Sequence, residues 1–481
     1  MHSTTKLRAA PALASSPRRE PWTLLGLICV AQFMVILDVT VVNVALPSIG
    51  RELDFAAKDL QWVVSTYALF TGGLLLLGGR LTDLLGRRAI FLTGLITFTT
   101  ASLASGLAPT SAALIVARGV QGLGAAMLSS AALSIIATTY TGAQRTTALS
   151  AWGAIAGGGA ATGVLLGGMF TTWLSWEWVF FINVPVGILA AVLAWRIVPA
   201  ARTRSGSLSN LDLPGALTLV SGLVLLVYAV EGTSSHGWGS ARTLVLLAAS
   251  AALLAAFATV ERRARRPLIP TATWRSRPLV SGATVMLGAT GILVGTFFLN
   301  SLFLQNVLGA SALDTGLAFL PLVLVTGVAA HVGPRLLTRI GARGVVIGGL
   351  ALVVGGNLLL SGASDDAAYA TELLPGFLLV GFGVGLSFVA VSVTAMSDVV
   401  GERAGIASGL LSTAHEIGGA LGISIFSAVA LGAGARSGAG LAGGYQDGAL
   451  AGALIASVLA LIAVVAVPTF RPLTAQRAAM H

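Results

Sequence analysis

The chain has 481 residues, of which 56% are hydrophobic and only 10% are charged, and its mean hydropathy is +0.90. Soluble domains carry about 25% charged residues, and disordered chains contain few apolar ones. The composition therefore excludes a soluble globular enzyme and a disordered protein. The formal charge of +10 could suggest nucleic-acid binding. The basic residues, however, lie in short gaps between apolar runs, which argues against a nucleic-acid partner.

Apolar runs long enough to span a bilayer recur along the whole chain. A hydrocarbon core of about 30 Å needs roughly 20 apolar residues per helix. The sequence therefore predicts an all-α polytopic membrane protein with 14 transmembrane helices, joined by links too short to hold a folded domain. The predicted spans are 22–46, 60–79, 89–108, 112–138, 148–171, 178–197, 213–231, 243–260, 279–302, 313–333, 344–362, 371–396, 405–432 and 448–468.

The basic residues between the spans predict the orientation. If the N-terminus is cytoplasmic, the inner segments contain 23 of the 28 Lys and Arg residues, and the outer segments contain 4. Positive charge accumulates on the cytoplasmic side of a membrane. We therefore expect both ends in the cytoplasm and a multi-pass location in the inner (plasma) membrane. Residues 1–21 are read as a tail, not as a signal peptide, because the apolar run that follows is too long.

Similar segments recur at a fixed distance along the chain. GRLTDLLGRR (79–88) resembles PRLLTRIGAR (334–343) at an offset of 255, and two glycines on one predicted span recur at the same offset. Inexact duplication of this kind is typical of secondary transporters, whose substrate site lies between the two halves. The predicted organisation is a tail, a six-helix bundle, two inserted helices, a second six-helix bundle and a tail, at 1–21, 22–197, 213–260, 279–468 and 469–481.

Two opposite charges lie at similar depth in the first and fourth spans. Asp38 is nine residues before Pro47, about 13 Å along a helix, and Arg118 is seven residues after Ser111, about 10 Å. Charged side chains inside a membrane are costly and commonly functional. We therefore predict an Asp38–Arg118 pair that takes part in proton coupling or in recognition of substrate charge. The alternative is a static ion pair that only holds the two helices together.

A third buried charge is predicted in the thirteenth span. Glu416 lies eleven residues from the inner end, close to the middle of the bilayer, without a basic partner on its own face. A low dielectric disfavours the ionised carboxylate, so Glu416 should be protonated part of the time. This suits a proton carrier or a carboxylate that meets a cationic substrate. The alternative is a Glu that faces a wet cavity and has no specific role.

Polar residues between the second and third spans suggest a gate at the inner surface. Asp83 precedes Arg87 by four residues, and Arg88 follows directly. We interpret the three as a cytoplasmic gate that holds the inner side closed in one state. Ordinary positive-inside charge would explain the two arginines but not the aspartate.

Glycines are concentrated in the fifth span, GAIAGGGAATGVLLGG (153–168). Small residues at a spacing of four allow helices to approach closely. We predict that this span packs tightly and serves as a pivot. The alternative is generic helix packing. The pivot residues would be Gly153, Gly157, Gly163 and Gly167.

Several of these tracts resemble known transporter motifs, in the same order and on the expected spans. They include LDVTVVNVALP (37–47), GRLTDLLGRR (79–88) and LIVARGVQGLGAA (114–126). Together they resemble the major facilitator superfamily, and within it the fourteen-span drug:proton antiporter family (the EmrB/QacA type). One departure is Val164, which follows Gly163 where that family has proline.

The resemblance implies proton-driven export of lipophilic, often cationic compounds. By carry-over, Arg118 would govern proton movement, Asp38 would contribute to coupling or substrate charge, and Asp83 with Arg87 would gate. The predicted function is therefore a proton-coupled exporter of drugs or antibiotics that works by alternating access. It would need small lipophilic substrates, protons and the bilayer, function as a monomer, and use no cofactor other than the proton gradient.

Two other functions remain open at this stage. One is dedicated export of a single endogenous secondary metabolite or siderophore. The other, ranked lower, is a membrane enzyme or sensor. A P-loop needs a Gly-Lys-Ser/Thr sequence, and the two lysines, Lys6 and Lys58, lie in no such context. The five histidines are scattered, so no metal site is predicted.

Overall fold

The computed structural model describes residues 21–56, 58–199, 212–264, 267–269, 273–397, 403–437 and 440–469. These residues are helical nearly throughout, as the long apolar runs predict. The predicted tails lie almost entirely outside the described residues. The topological orientation expected for them therefore stays a prediction.

Seven helices form the first part of the chain, and local chemistry sets their ends. The Thr110 hydroxyl accepts a hydrogen bond from the Ala113 amide and so caps one helix start. Gly86, at φ 93°, turns the chain sharply between two others. The seven helices are α1 (Pro21–Glu52), α2 (Trp62–Leu85), α3 (Arg87–Gly106), α4 (Ser111–Thr139), α5 (Gly142–Trp173), α6 (Trp178–Phe181) and α7 (Asn183–Ile197).

Seven further helices follow. The Asp212 carboxylate caps the first of them by accepting from the Gly215 amide, and Ser311 with Asp314 forms a capping box at the start of the longest. The seven are α8 (Leu213–His236), α9 (Ala241–Arg263), α10 (Arg277–Asn306), α11 (Ala312–Leu360), α12 (Leu374–Met396), α13 (Arg403–Ser437) and α14 (Gly440–Ala466).

The structure corrects the predicted number of membrane-spanning helices. In the part of the chain that the structure describes, 12 helices are long and apolar enough to cross a membrane, not 14. The predicted spans 313–333 and 344–362 both lie on α11, whose 49 residues run on through a non-helical Gly341. The predicted span 148–171 lies on α5, which is not among the 12, and the structure describes the side chains of only part of this helix.

The helices pack in two groups. In the first helix group (α1–α7), α1 packs on α5, and α4 packs on both α2 and α3. In the second helix group (α10–α14), α10 packs on α13, and α11 packs on α12 and α14. The two groups meet along α1–α10, α2–α13 and α5–α11, and this contact is called the seam below. Helices α8 and α9 pack on each other, and α8 also touches α2 and α13.

Equivalent glycines bring equivalent helices together in the two groups. A Cβ on Gly163 of α5 would overlap Thr40 of α1, and a Cβ on Gly167 would lie 2.9 Å from the Val41 carbonyl oxygen. In the second group, a Cβ on Gly418 or Gly422 of α13 would overlap the backbone of α10. The four glycines that repeat at an offset of 255 therefore occupy matching helix crossings.

The space around each predicted pivot glycine distinguishes a packing role from a role as a pivot. Gly163→Ala should lower the thermal unfolding temperature of the purified protein, because the new methyl overlaps Thr40, and overpacking costs about 1–3 kcal/mol. Gly157→Ala is the matched control, because no atom lies within 4 Å of its missing Cβ. A Gly157→Ala protein with unchanged stability but no transport would support a pivot. Full transport by this variant would contradict that role.

Candidate functional site

Asp38 and Arg118 form a buried ion pair inside the first helix group. The Arg118 Nη1 atom lies 2.5 Å from Asp38 Oδ2, and both side chains are 0% exposed. Asp38 comes from α1 and Arg118 from α4, so their similar depths bring them together. Since the pair is surrounded by protein, it contacts neither acyl chains nor bulk solvent.

Two amides that the sequence analysis did not single out complete the Asp38 site. Gln121 Nε2 and Asn183 Nδ2 each donate to Asp38 Oδ1 at 2.8 Å. Asn183 also donates to Ser102 Oγ at 3.0 Å, which fixes its orientation. The two carboxylate oxygens of Asp38 thus accept three hydrogen bonds. Gln121 follows Arg118 by three residues, one helical turn, and that spacing was the signal for it in the sequence.

The Arg118 guanidinium is also held by the backbone and by aromatic rings. Its Nε donates to the Val63 carbonyl oxygen at 2.9 Å, and its Nη1 donates to Gln121 Oε1 at 2.7 Å. The guanidinium carbon lies 4.3 Å from the Tyr67 ring centre and 5.6 Å from that of Phe180. Nη2 has no protein partner among the described residues. The planar fork therefore makes three directed contacts at once, which a lysine could not reproduce.

Glu416 lies apart from this pair, at the seam. Gly72 of α2 has its missing Cβ 2.7 Å from Glu416 Cβ, so α2 and α13 touch at this point. Glu416 is partly accessible, and its carboxylate has no hydrogen-bond or ion-pair partner within the described residues. Its neighbour His415 points elsewhere, with Nδ1 3.0 Å from Thr290 Oγ1 on α10. The seam therefore contains one carboxylate that is free to meet a ligand.

Helix α2 lies between the two carboxylates. Val63 and Tyr67 of α2 contact Arg118, whereas Gly72 faces Glu416. A movement of α2 would therefore change the surroundings of both Arg118 and Glu416.

The predicted cytoplasmic gate is not assembled in this structure. Asp83 is exposed and has no partner in the described part of the chain, and Arg87 Nε donates to Ser134 Oγ at 3.0 Å. Arg88 donates to the Trp195 carbonyl oxygen, and its guanidinium carbon lies 4.7 Å from that ring. The two arginines thus bind α4 and α7, and neither contacts Asp83.

The end of the seam opposite the predicted cytoplasmic gate is called the Pro47 end. It is closed by contacts between α1 and α10. Proline has no N–H, so Pro47 leaves the carbonyl of Asn43 without its usual helical donor. Ser301 Oγ donates to this oxygen at 2.9 Å, and Gln305 Nε2 donates to the Val44 oxygen at 3.0 Å. Asn43, Val44, Ser301 and Gln305 are called the latch. The sequence analysis missed it, and Pro47 within an apolar helix was the available signal.

The fold and the buried charges define a multi-pass helical membrane transporter, not an enzyme. A family profile described as Major Facilitator Superfamily matches residues 28–423, and the chain belongs to this superfamily. Transporters of this superfamily move small substrates across membranes.

Curated relatives match over most of the chain. It is 41% identical to the puromycin resistance protein of Streptomyces alboniger over 436 residues, which are 90% of this chain and 86% of the relative. It is 41% identical to the cephamycin export protein of Amycolatopsis lactamdurans, over 88% of each chain. It is 35% identical to the lincomycin resistance protein of Streptomyces lincolnensis, over 88% of this chain and 87% of the relative.

Solved structures match in fold at low sequence identity. A bacterial homologue of the human lysosomal transporter Spinster, in an inward-facing and occupied conformation, aligns with a TM-score of 0.65 at 16% identity. The alignment covers 95% of this chain and 98% of that one. A D-xylose–proton symporter aligns with a TM-score of 0.65 at 15% identity, over 94% and 99% of the two chains.

Proposed function

We propose that the protein is a proton-coupled exporter of lipophilic, cationic drugs or antibiotics, within the drug:proton antiporter branch of its superfamily. The observation that carries the proposal is the unpartnered Glu416 carboxylate at the seam, separated by α2 from the buried Asp38–Arg118 pair. The relatives that it resembles are antibiotic resistance and export proteins. We further propose a monomer in the plasma membrane with both ends in the cytoplasm and its helices organised as two bundles.

The proposed coupling runs through α2. A proton bound by Asp38 removes the negative charge that faces Arg118. Since an unpaired guanidinium is costly in a low dielectric, the protonated state favours a new position of Arg118 relative to Val63 and Tyr67. The same helix touches Glu416, where a cationic substrate would bind. A proton at Asp38 and a cationic substrate at Glu416 would then favour different positions of α2. Opposite effects of two ligands on one element are the condition for exchange.

Exchange can be tested with purified protein in lipid vesicles. A fluorescent lipophilic cation such as ethidium should accumulate when a pH gradient drives protons the other way, without any nucleotide. A proton uncoupler should abolish the accumulation, and vesicles without protein should show none. Accumulation that is unchanged after the gradient is collapsed would contradict proton coupling.

Export of one endogenous compound is the second candidate. Two relatives carry names that state export of a single compound, cephamycin and tetracenomycin C. A panel of antibiotic tolerances with and without the gene separates the candidates. Broad loss of tolerance upon deletion supports drug export. Unchanged tolerance together with loss of one secreted product supports dedicated export.

A further inference from the structure

A cavity lies beside the latch, at the Pro47 end of the seam. Its volume is about 270 Å³, and its walls come from both helix groups. Pro47 and Arg51 of α1 form one side, and Leu302 and Phe303 of α10 form another. Leu302 follows Ser301, and Pro47 follows the two carbonyls that accept the latch hydrogen bonds. An occupant of the cavity would therefore touch both groups only while this end is closed.

The walls of the cavity are apolar and well supported. The Phe303 ring stacks on the Tyr445 ring at a centroid distance of 4.0 Å. The Tyr445 hydroxyl donates to Asn300 Oδ1 at 2.8 Å. Both rings are held in place by these contacts. The Phe303 and Tyr445 rings are themselves almost completely buried, so they support the apolar wall from behind.

One charged side chain lines the cavity. Arg51 is exposed, and its Nη2 donates to Ser48 Oγ at 3.0 Å. No carboxylate of the described residues is paired with Arg51, and no acidic residue lines the cavity. An arginine on the wall of an apolar space matches a ligand with an aromatic body and one carboxylate. An apolar cavity of about 150 Å³ accommodates benzene, so this larger space suits two fused rings.

We propose that this cavity binds a small bicyclic aromatic carboxylate, with the rings in the apolar space and the carboxylate on Arg51, and that binding holds the Pro47 end closed. A ligand shifts a conformational equilibrium towards the state that it binds better. Since the walls belong to both groups, opening this end separates them and destroys the site. The occupant is thus an inhibitor that does not compete with the transported substrate.

The first test measures binding without any transport. Purified protein in nanodiscs is titrated with 2-naphthoate and followed by thermal unfolding and calorimetry. We expect saturable binding and a rise in the unfolding temperature. Arg51→Gln should weaken 2-naphthoate about tenfold but leave the uncharged 2-naphthamide unchanged. Arg242→Gln, which alters another exposed arginine that donates to Tyr228, is the control and should change neither.

The second test measures the state of the seam and the transport rate. In a Cys29→Ser background, Gln305→Cys places a thiol at the latch, and 2-naphthoate should slow its alkylation. In vesicles, 2-naphthoate should lower the maximal transport rate and leave KM unchanged. Leu302→Trp should fill the cavity and remove sensitivity to 2-naphthoate. Ala430→Phe, on the α13 wall, is a second filling variant in case the first does not fold.

Several outcomes would overturn the proposal. They are the absence of binding at millimolar concentration, equal binding by wild type and Arg51→Gln, and purely competitive inhibition. The proposal would also be overturned if a phospholipid chain occupied the cavity and 2-naphthoate did not displace it. Because the binding arm needs no transport, failure of this proposal is distinguishable from failure of the proposed export function.

Discussion

Replacement of Arg118 by alanine is expected to abolish proton-coupled transport. The change leaves the buried Asp38 carboxyl group with only Gln121 and Asn183 as donors. Removing one partner of a buried pair lowers the free energy of unfolding by about 3–5 kcal/mol, so transport is compared at equal amounts of folded protein. Asp38→Asn should have a comparable effect, since it leaves the guanidinium unpaired. The measurement is gradient-driven ethidium uptake in vesicles, normalised to the amount of inserted protein.

The double variant Asp38→Asn, Arg118→Gln separates the coupling role from a static clamp. It removes both charges at once, so no unpaired charge stays buried, and the protein should insert and unfold near the wild-type temperature. If the pair couples protons, the double variant still does not transport. If it transports at the wild-type rate, the pair serves only to hold α1 against α4. Arg118→Lys should also fail, because one ammonium cannot reach Val63, Asp38 and Gln121 together.

The Asp38–Arg118 contact could be predicted from the sequence because it depends only on the depth and the charge of the two side chains. Depth along a helix follows from residue number, and two opposite charges at one depth in a membrane have a strong reason to meet. The amides of Gln121 and Asn183 lie in segments that the sequence analysis had quoted. Their direction towards Asp38, however, depends on how α4 and α7 rotate about their axes. Side-chain rotation is set by packing between helices, and a sequence alone does not specify it.

Residue spacing alone does not predict which side chains Asp83 and Arg87 contact. A spacing of four residues brings side chains together only within one continuous helix. Asp83 lies on α2 and Arg87 on α3, and Gly86 turns the chain between them. The gate stays a prediction, whereas the predicted number of spans was wrong. The apolar pattern separates 313–333 from 344–362 at their charged link, yet the backbone stays helical through much of that link and departs from helical geometry only at Gly341.

The latch suggests why a proline is placed inside α1. A proline in a helix removes one hydrogen bond and normally destabilises the helix. Here the freed Asn43 carbonyl gains a donor from the other helix group, Ser301. The hydrogen bond lost inside α1 is thus replaced by one across the seam. Closure of the Pro47 end satisfies a carbonyl that opening would leave to water.

Glu416→Gln is expected to remove the preference for cationic substrates. The carboxylate is unpartnered at the seam, so a bound cation would be its principal partner, and a hydrogen bond to a charged group is worth about 1.5–3 kcal/mol. KM for a lipophilic cation should therefore rise about 10-fold to 100-fold. KM for an uncharged lipophilic substrate of similar size should change little. Competition between such a pair of substrates in vesicles gives the ratio directly.

His415→Gln is the matched control for this variant. It alters the adjacent residue, whose side chain contacts Thr290 on α10 and not α2. It should therefore leave the ratio of the two KM values unchanged. If Glu416 carries a proton instead, Glu416→Gln mimics the protonated form. Uptake driven by a pH gradient is then lost for both substrates, whereas exchange of labelled for unlabelled substrate without a gradient continues. Equal loss of gradient-driven uptake and of exchange, with unchanged selectivity, would assign Glu416 neither role, because only the packing against Gly72 would then remain.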